Sequence, residues 1–171
     1  MDQRENDFLQ LVHKHEGRLR KICRVYADTA ADQRDLYQDV LVALWRALPS
    51  FEGEAAPGTW LYRVALNTAL SHDRRQTVRE EATLDDDHPL RTDTFDTPDV
   101  AVEEQDRLDR LYAALDRLDD VDKALVTMYL DEKPYAEMAD VLGLTENHVG
   151  VKLHRLKNKL ADWLEDAPHD A

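Results

Sequence analysis

Cys23 is the only cysteine in this 171-residue sequence, which excludes a disulfide framework and any cysteine-based zinc site and suits a reducing compartment. No apolar run approaches the length needed to span a bilayer, and the N-terminal MDQREND is polar and acidic, without the apolar core of a signal peptide. A soluble, cytoplasmic protein with no membrane insertion is therefore expected. No strand alternation, internal repeat or low-complexity tract appears beyond one acidic stretch. Nucleophile motifs, phosphate loops and paired carboxylates are also missing, so no catalytic residue is assigned and no enzyme is expected. His13 and His15 stand two apart and point to different helix faces; His148 and His154 have no third ligand nearby. The clustered acids lack the spacing of a calcium loop. The sequence thus calls for no metal and no cofactor.

An excess of positive charge is lacking too. The formal net charge is −14, the opposite of what a free-standing nucleic-acid binder carries. Residues 1–76 are balanced, with eleven basic and eleven acidic side chains. Residues 77–106 hold two basic and eleven acidic ones, and residues 107–171 nine and fourteen. Such a chain binds free duplex weakly, because long-range repulsion opposes any local basic surface. A partner that brings it to DNA is implied.

What the sequence does contain is helical rhythm. From Asp7 to Asp28, Phe8, Leu11, Val12, Leu19, Ile22, Cys23 and Tyr26 recur every three or four positions. After Thr29-Ala30-Ala31, Asp32 can cap a second helix whose apolar side runs through Leu36, Tyr37, Val40, Leu41, Leu44, Trp45 and Leu48, with Pro49 as its stop. Its outer side is polar: Asp35, Gln38, Asp39 and Arg46. An irregular loop, Ser50 to Gly58, leads to Thr59, a candidate cap for a third helix. There Trp60, Leu61, Val64, Ala65 and Thr68 can pack inward, leaving Arg63, Asn67, Ser71, Arg74 and Arg75 on the polar side. Rhythm lapses over residues 77–104 and returns with Leu108, Leu111, Tyr112, Leu115, Leu118, Leu125, Met128 and Tyr129. The expected fold is all-α: helical modules at 1–76 and 105–165, an acidic flexible linker at 77–104 and a tail at 166–171.

Residues 134–160 read as two helices and a tight turn. Gly143 supplies the left-handed residue that ends the first helix, Leu144 plugs the turn, and Thr145 caps the second. Val149, Leu153, Leu156 and Leu160 form a buried stripe. Asn147, His148, Lys152, Arg155, Lys157 and Lys159 occupy the other side, and no acid interrupts Asn147 to Leu160. A plain αα-hairpin with a solvated basic face fits this pattern. So does a helix-turn-helix whose second helix enters the major groove and whose cations meet phosphate. Trp60 likewise has two readings on periodicity alone: an ordinary core or rim aromatic, or a platform for unstacked bases beside Arg63 and Asn67.

Three blocks in this order resemble the extracytoplasmic-function (ECF) group of the sigma-70-type bacterial RNA polymerase sigma factors. Asp35-Leu36-Tyr37-Gln38-Asp39-Val40 with Leu44-Trp45 is similar to region 2.2; Thr59 to Asn67 is similar to regions 2.3–2.4; Tyr135 to Leu160 is similar to region 4.2. The resemblance implies binding to core RNA polymerase, with Asp35, Gln38 and Asp39 on the β′ clamp helices and the second module at the β flap. It implies promoter DNA as the target: the melted minus-ten strand at Trp60, Arg63, Asn67, Arg74 and Arg75, and the minus-thirty-five duplex at Asn147, His148, Lys152, Arg155 and Lys159. An anti-sigma factor is the implied regulator, and the acidic linker would thread a basic polymerase channel in place of nucleic acid.

The match is not complete. Pro57 and Gly58 stand where the family commonly has an aromatic and a polar or basic residue, and Glu52 where arginine is frequent, implying a different preference in strand capture. Gly150 stands where lysine is often found, at a position expected to be exposed, and costs about 1 kcal/mol of helix propensity relative to alanine. A modest minus-thirty-five affinity follows. Three functions stay open at this point: a promoter-specificity subunit, an ordinary helix-turn-helix regulator, and a sigma-like decoy that binds polymerase or an anti-sigma partner without supporting initiation.

Overall fold

The chain is seen in a computed structural model that describes residues 3–83 and 102–165, with side chains described over 3–72 and 102–165. Two units contain these residues, Met1–Phe95 and Asp96–Ala171. Helices and turns account for the described residues, with no strand among them. The acidic run Asp85-Asp86-Asp87, most of the expected linker and the expected tail lie outside the described residues.

In the first unit α1 spans Gln3–Tyr26, starting earlier than periodicity alone suggested. His15, Leu19, Ile22, Cys23 and Tyr26 make its buried stripe. Its N-terminal half is only half-buried, and is fastened to the second helix by aromatic contacts. The Phe8 ring meets Trp45 edge-on at 5.2 Å. The Arg4 guanidinium lies 4.5 Å over the same indole and donates to the Trp45 carbonyl at 3.3 Å. These contacts exploit the indole face and edge together.

Helix α2, Ala30–Ala47, begins two residues before the expected cap, Asp32. Thr29, extended at φ −103° and ψ 155°, is the N-cap: its hydroxyl oxygen accepts from the Asp32 amide at 3.1 Å and its O–H donates to Asp32 Oδ2 at 2.5 Å. Asp32 therefore sits inside the first turn, its carboxylate accepting from the hydroxyl of the cap and not capping the helix itself. Gln33 is buried nearby and donates to the Ala27 carbonyl at 3.1 Å. Leu36, Val40 and Leu44 are wholly buried, one per turn, each stabilising the bundle by roughly 1.5–3 kcal/mol. A 3₁₀ turn at Leu48–Ser50 with Pro49 in its first positions follows, where Pro49 was expected to stop the helix.

Helix α3, Pro57–Thr83, also starts before its expected cap. Pro57 takes the first helical position, where a missing N–H costs nothing, and the amides of Thr59 and Trp60 both bond to the Ala56 carbonyl. Thr59 is thus a buried first-turn residue and not the cap. The inward face differs from expectation as well. Leu61, Tyr62, Ala65, Leu66 and Ala69 are buried, whereas Trp60, Val64 and Thr68 lie half-buried at the flank. Helix α3 packs against both α1 and α2, so it buries two adjoining stripes at once. It also continues past residue 76, where helical rhythm was expected to lapse, through Arg79, Glu80 and Glu81, all good helix formers.

In the second unit α4 is Val102–Asp116 and α5 is Asp120–Leu130. Asp119 caps α5, accepting from the Asp122 amide at 2.8 Å. Leu115, Leu118, Leu125 and Met128 build the core with Met138 of α6, Tyr135–Leu142. Gly143 stands at φ 68°, the left-handed conformation a Cβ would strain, and the Leu144 amide closes the turn on the Ala139 carbonyl at 3.0 Å. Thr145 then accepts from the His148 amide at 3.2 Å, opening α7, Glu146–Glu165. Val149, Leu153, Leu156 and Leu160 are its buried stripe, as their spacing requires.

Candidate nucleic-acid and protein interfaces

The first unit presents one composite surface. On α2, Asp35, Gln38 and Asp39 are exposed along one stripe, and Val42, 46 % exposed, continues it. Val42 was not singled out from the sequence; the signal available was an aliphatic residue one turn beyond Gln38 and Asp39 on an otherwise polar side. An open groove of about 500 Å³ runs between α2 and α3, lined by Asp39, Val42 and Arg46 on one wall and Val64, Asn67 and Ser71 on the other. His72 of α3 ties the two helices together beside it, its Nδ1 lying 3.3 Å from Asp39 Oδ2. Candidate residues for protein docking and for strand capture therefore meet across a single cleft.

Trp60 sits at the start of α3, where the preceding loop returns to the helix. The Phe51 ring lies 4.9 Å from the Trp60 ring, centre to centre, tilted by 38°. This leaves Trp60 half-buried, with the Phe51 ring packed against it. Arg63 is half-buried and Asn67 exposed on the same helix. Tyr62 is wholly buried and belongs to the core, whereas Trp60 lies at the rim. Arg74 and Arg75 continue α3, and their side chains lie outside the described residues.

In the second unit the outward face of α7 carries Asn147, His148, Val151, His154, Arg155 and Asn158, all exposed. At about 100° per residue, Asn147, Val151 and Asn158 lie near the centre of that face, opposite the buried stripe. Val151 was not expected there; its 44 % exposure puts a small apolar group where a thymine methyl could be met. The cations are distributed differently from the simple basic face. Lys152 is turned to α5, its Nζ 2.6 Å from Asp122 Oδ1. Lys157 lies 5.0 Å over the Tyr129 ring, and Lys159 4.8 Å over Trp163, whose ring also receives Arg117 at 3.8 Å. Arg155 is exposed between them.

Gly150 is half-buried and not exposed. A Cβ built there would lie 3.4 Å from the Tyr135 ring of α6, so the glycine marks where the two helices of the motif approach. Among the described residues no group of three or more His, Cys, Asp or Glu is placed to hold a metal ion, and no helix is long and apolar enough to cross a membrane.

Residues 11–79 match the family described as Sigma-70 region 2, and residues 108–160 match Sigma-70, region 4. The ECF RNA polymerase sigma factor SigM of Mycobacterium tuberculosis is 29% identical over 159 residues, covering 92% of this chain and 76% of the relative. The RNA polymerase sigma factor YlaC of Bacillus subtilis is 29% identical over 128 residues, 74% of either chain. Among solved structures, the sigma factor RpoE in complex with the anti-sigma factor NepR from Bartonella quintana aligns at a TM-score of 0.77 and 19% identity, over 95% of this chain and 99% of that one. CnrH in complex with the cytosolic domain of CnrY aligns at 0.70 and 24%, over 96% and 91%. At these identities the structural likeness speaks to the fold.

Proposed function

Since the chain belongs to the extracytoplasmic-function group of the sigma-70 family, with region 2 and region 4 in that order, we propose that it directs core RNA polymerase to a specific promoter set, working in the cytoplasm as a specificity subunit with no catalysis of its own. The exposed α2 stripe, Asp35, Gln38 and Asp39, docks on the β′ clamp helices, and region 4 rests on the β flap. Trp60, Arg63 and Asn67 take the unpaired minus-ten strand, with Arg74 and Arg75 on its backbone. Unstacking costs a few kcal/mol per step, so capture of a base on the Trp60 ring offsets it locally. Helix α7 enters the minus-thirty-five major groove with Asn147, His148, Arg155 and Lys159. The acidic stretch 77–104 occupies a basic polymerase channel.

The observation that carries this reading is the pairing, in one chain of net charge −14, of a half-buried tryptophan, Trp60, at the start of α3 with a helix-turn-helix in the second unit. A protein so negative holds a chromosome through a larger basic partner. One structural neighbour was solved in complex with the anti-sigma factor NepR and another with the cytosolic domain of CnrY, which supports an anti-sigma factor as the regulator here. Run-off transcription with purified core polymerase tests the proposal. Promoter-dependent RNA is expected only with the protein present; a decoy or an ordinary regulator yields none.

A further inference from the structure

Lys152 has the sequence signature of a phosphate contact, yet its ammonium is engaged inside the domain. Its Nζ lies 2.6 Å from Asp122 Oδ1, with the two side chains 28% and 17% exposed. The partners are 30 positions apart in the chain, so the pair is a tertiary tie and not a helix-surface contact. Asp122 is itself immobilised: its amide is capped by Asp119 at 2.8 Å, which fixes it in the first turn of α5. A carboxylate there is favoured by the helix dipole. On α7, Lys152 follows Val151 at the centre of the outward face and lies beside the buried Leu153 and Leu156. A restraint at this point opposes rotation of α7 about its axis, and rotation is what would swing Asn147, Val151 and Arg155 away from base edges.

We propose that Lys152 and Asp122 are positioning residues for DNA reading: their ion pair sets the rotation of α7, and Lys152 does not contact phosphate. This rests on the proposed role of α7 at the minus-thirty-five element. The partial burial of the pair makes it less sensitive to salt than a surface bridge, so the restraint persists under conditions where phosphate contacts weaken.

The test uses holoenzyme and two promoters that differ only in an intact or scrambled upstream element. K152M, D122N, the double variant and K152R are compared at a temperature where circular dichroism shows each to be folded; D122N, which keeps shape and volume, serves if K152M does not fold. Each single variant is expected to lose about 3- to 10-fold in discrimination between the promoters, and the double to lose no more than either. K152R should restore discrimination, and the salt slope of binding should not change. If K152M flattens the slope by about 0.9, the contribution of one phosphate, while D122N leaves discrimination intact, Lys152 is a DNA contact and the proposal is overturned. Independent, multiplicative losses overturn it as well. R155A separates the two levels: a neutral R155A removes α7 as the reader, whereas a responsive R155A beside an additive pair defeats this inference alone.

Discussion

Phe51 and Trp60 lie ring against ring at 4.9 Å, joining the loop before α3 to the first turn of that helix. The indole is thereby held before any base arrives, so less ordering remains to be done on capture. Trp60→Ala should leave polymerase binding intact and reduce open-complex formation by about 5- to 150-fold, the equivalent of roughly 1–3 kcal/mol of base stacking. Phe51→Ala should weaken opening by less, since it removes the support and not the platform. Permanganate reactivity of unpaired thymines reads both; a Trp60→Ala protein that opens promoters normally would remove the residue from the site.

Thr29 is the cap on which α2 depends, through its bond from the Asp32 amide at 3.1 Å. Thr29→Ala should destabilise the first unit by about 1 kcal/mol, and Thr29→Asn by much less, because asparagine keeps the accepting oxygen. Chemical denaturation gives the comparison directly. Asp32→Ala should cost less than Thr29→Ala, since the amide keeps its partner.

The two glycines of the helix-turn-helix should respond in opposite directions. Gly143→Ala places a Cβ at φ 68° and should cost about 1–2 kcal/mol. Gly150→Ala meets the Tyr135 ring at ordinary contact, 3.4 Å, and should stabilise by about 0.5–1 kcal/mol through helix propensity. A bulky Gly150→Leu should instead push Tyr135 aside and lower the unfolding midpoint. Thermal unfolding of the three variants orders them.

Burial pushes the Cys23 thiol from its ordinary value of 9.0 up to about 12, a shift only partly opposed by the Arg20 guanidinium. The thiolate is the reactive form, so native protein at pH 8 should resist thiol reagents, and its labelling rate should follow opening of the first unit. The raised value favours the protonated, folded form below the unfolded pKa. Its contribution is therefore present below about pH 9 and lost as pH climbs toward 12. Denaturation midpoints across that range should fall more steeply for the native sequence than for Cys23→Ala.

How far the sequence revealed this molecule depended on whether one face was isolated from the rest. The stripe Val149, Leu153, Leu156, Leu160 stands among mostly polar neighbours, with Val151 the one aliphatic exception between its ends, so its period fixed which way α7 faces. Helix α3 offered no such contrast, because Leu61, Tyr62, Ala65 and Leu66 fill two adjoining faces and Trp60 looks no different from them in a list of apolar residues. Caps went astray for a related reason. Thr29 and Asp32 can each accept an amide, and the choice is made by the extended entry of the chain at Thr29. Lys152 shows the limit most plainly. Its charge was legible, but the carboxylate facing it comes from α5, and no local pattern records that pairing.

The cleft shared by α2 and α3 has an evolutionary and engineering consequence. Asp39 and Val42 belong to one wall, Asn67 and Ser71 to the other, and His72 reaches across to Asp39. Substitutions that retune one wall alter the surroundings of the other, so the two should co-vary among descendants of this gene. A chimera that grafts only α3 from a cousin would inherit mismatched neighbours, and the transplantable piece is the helical pair.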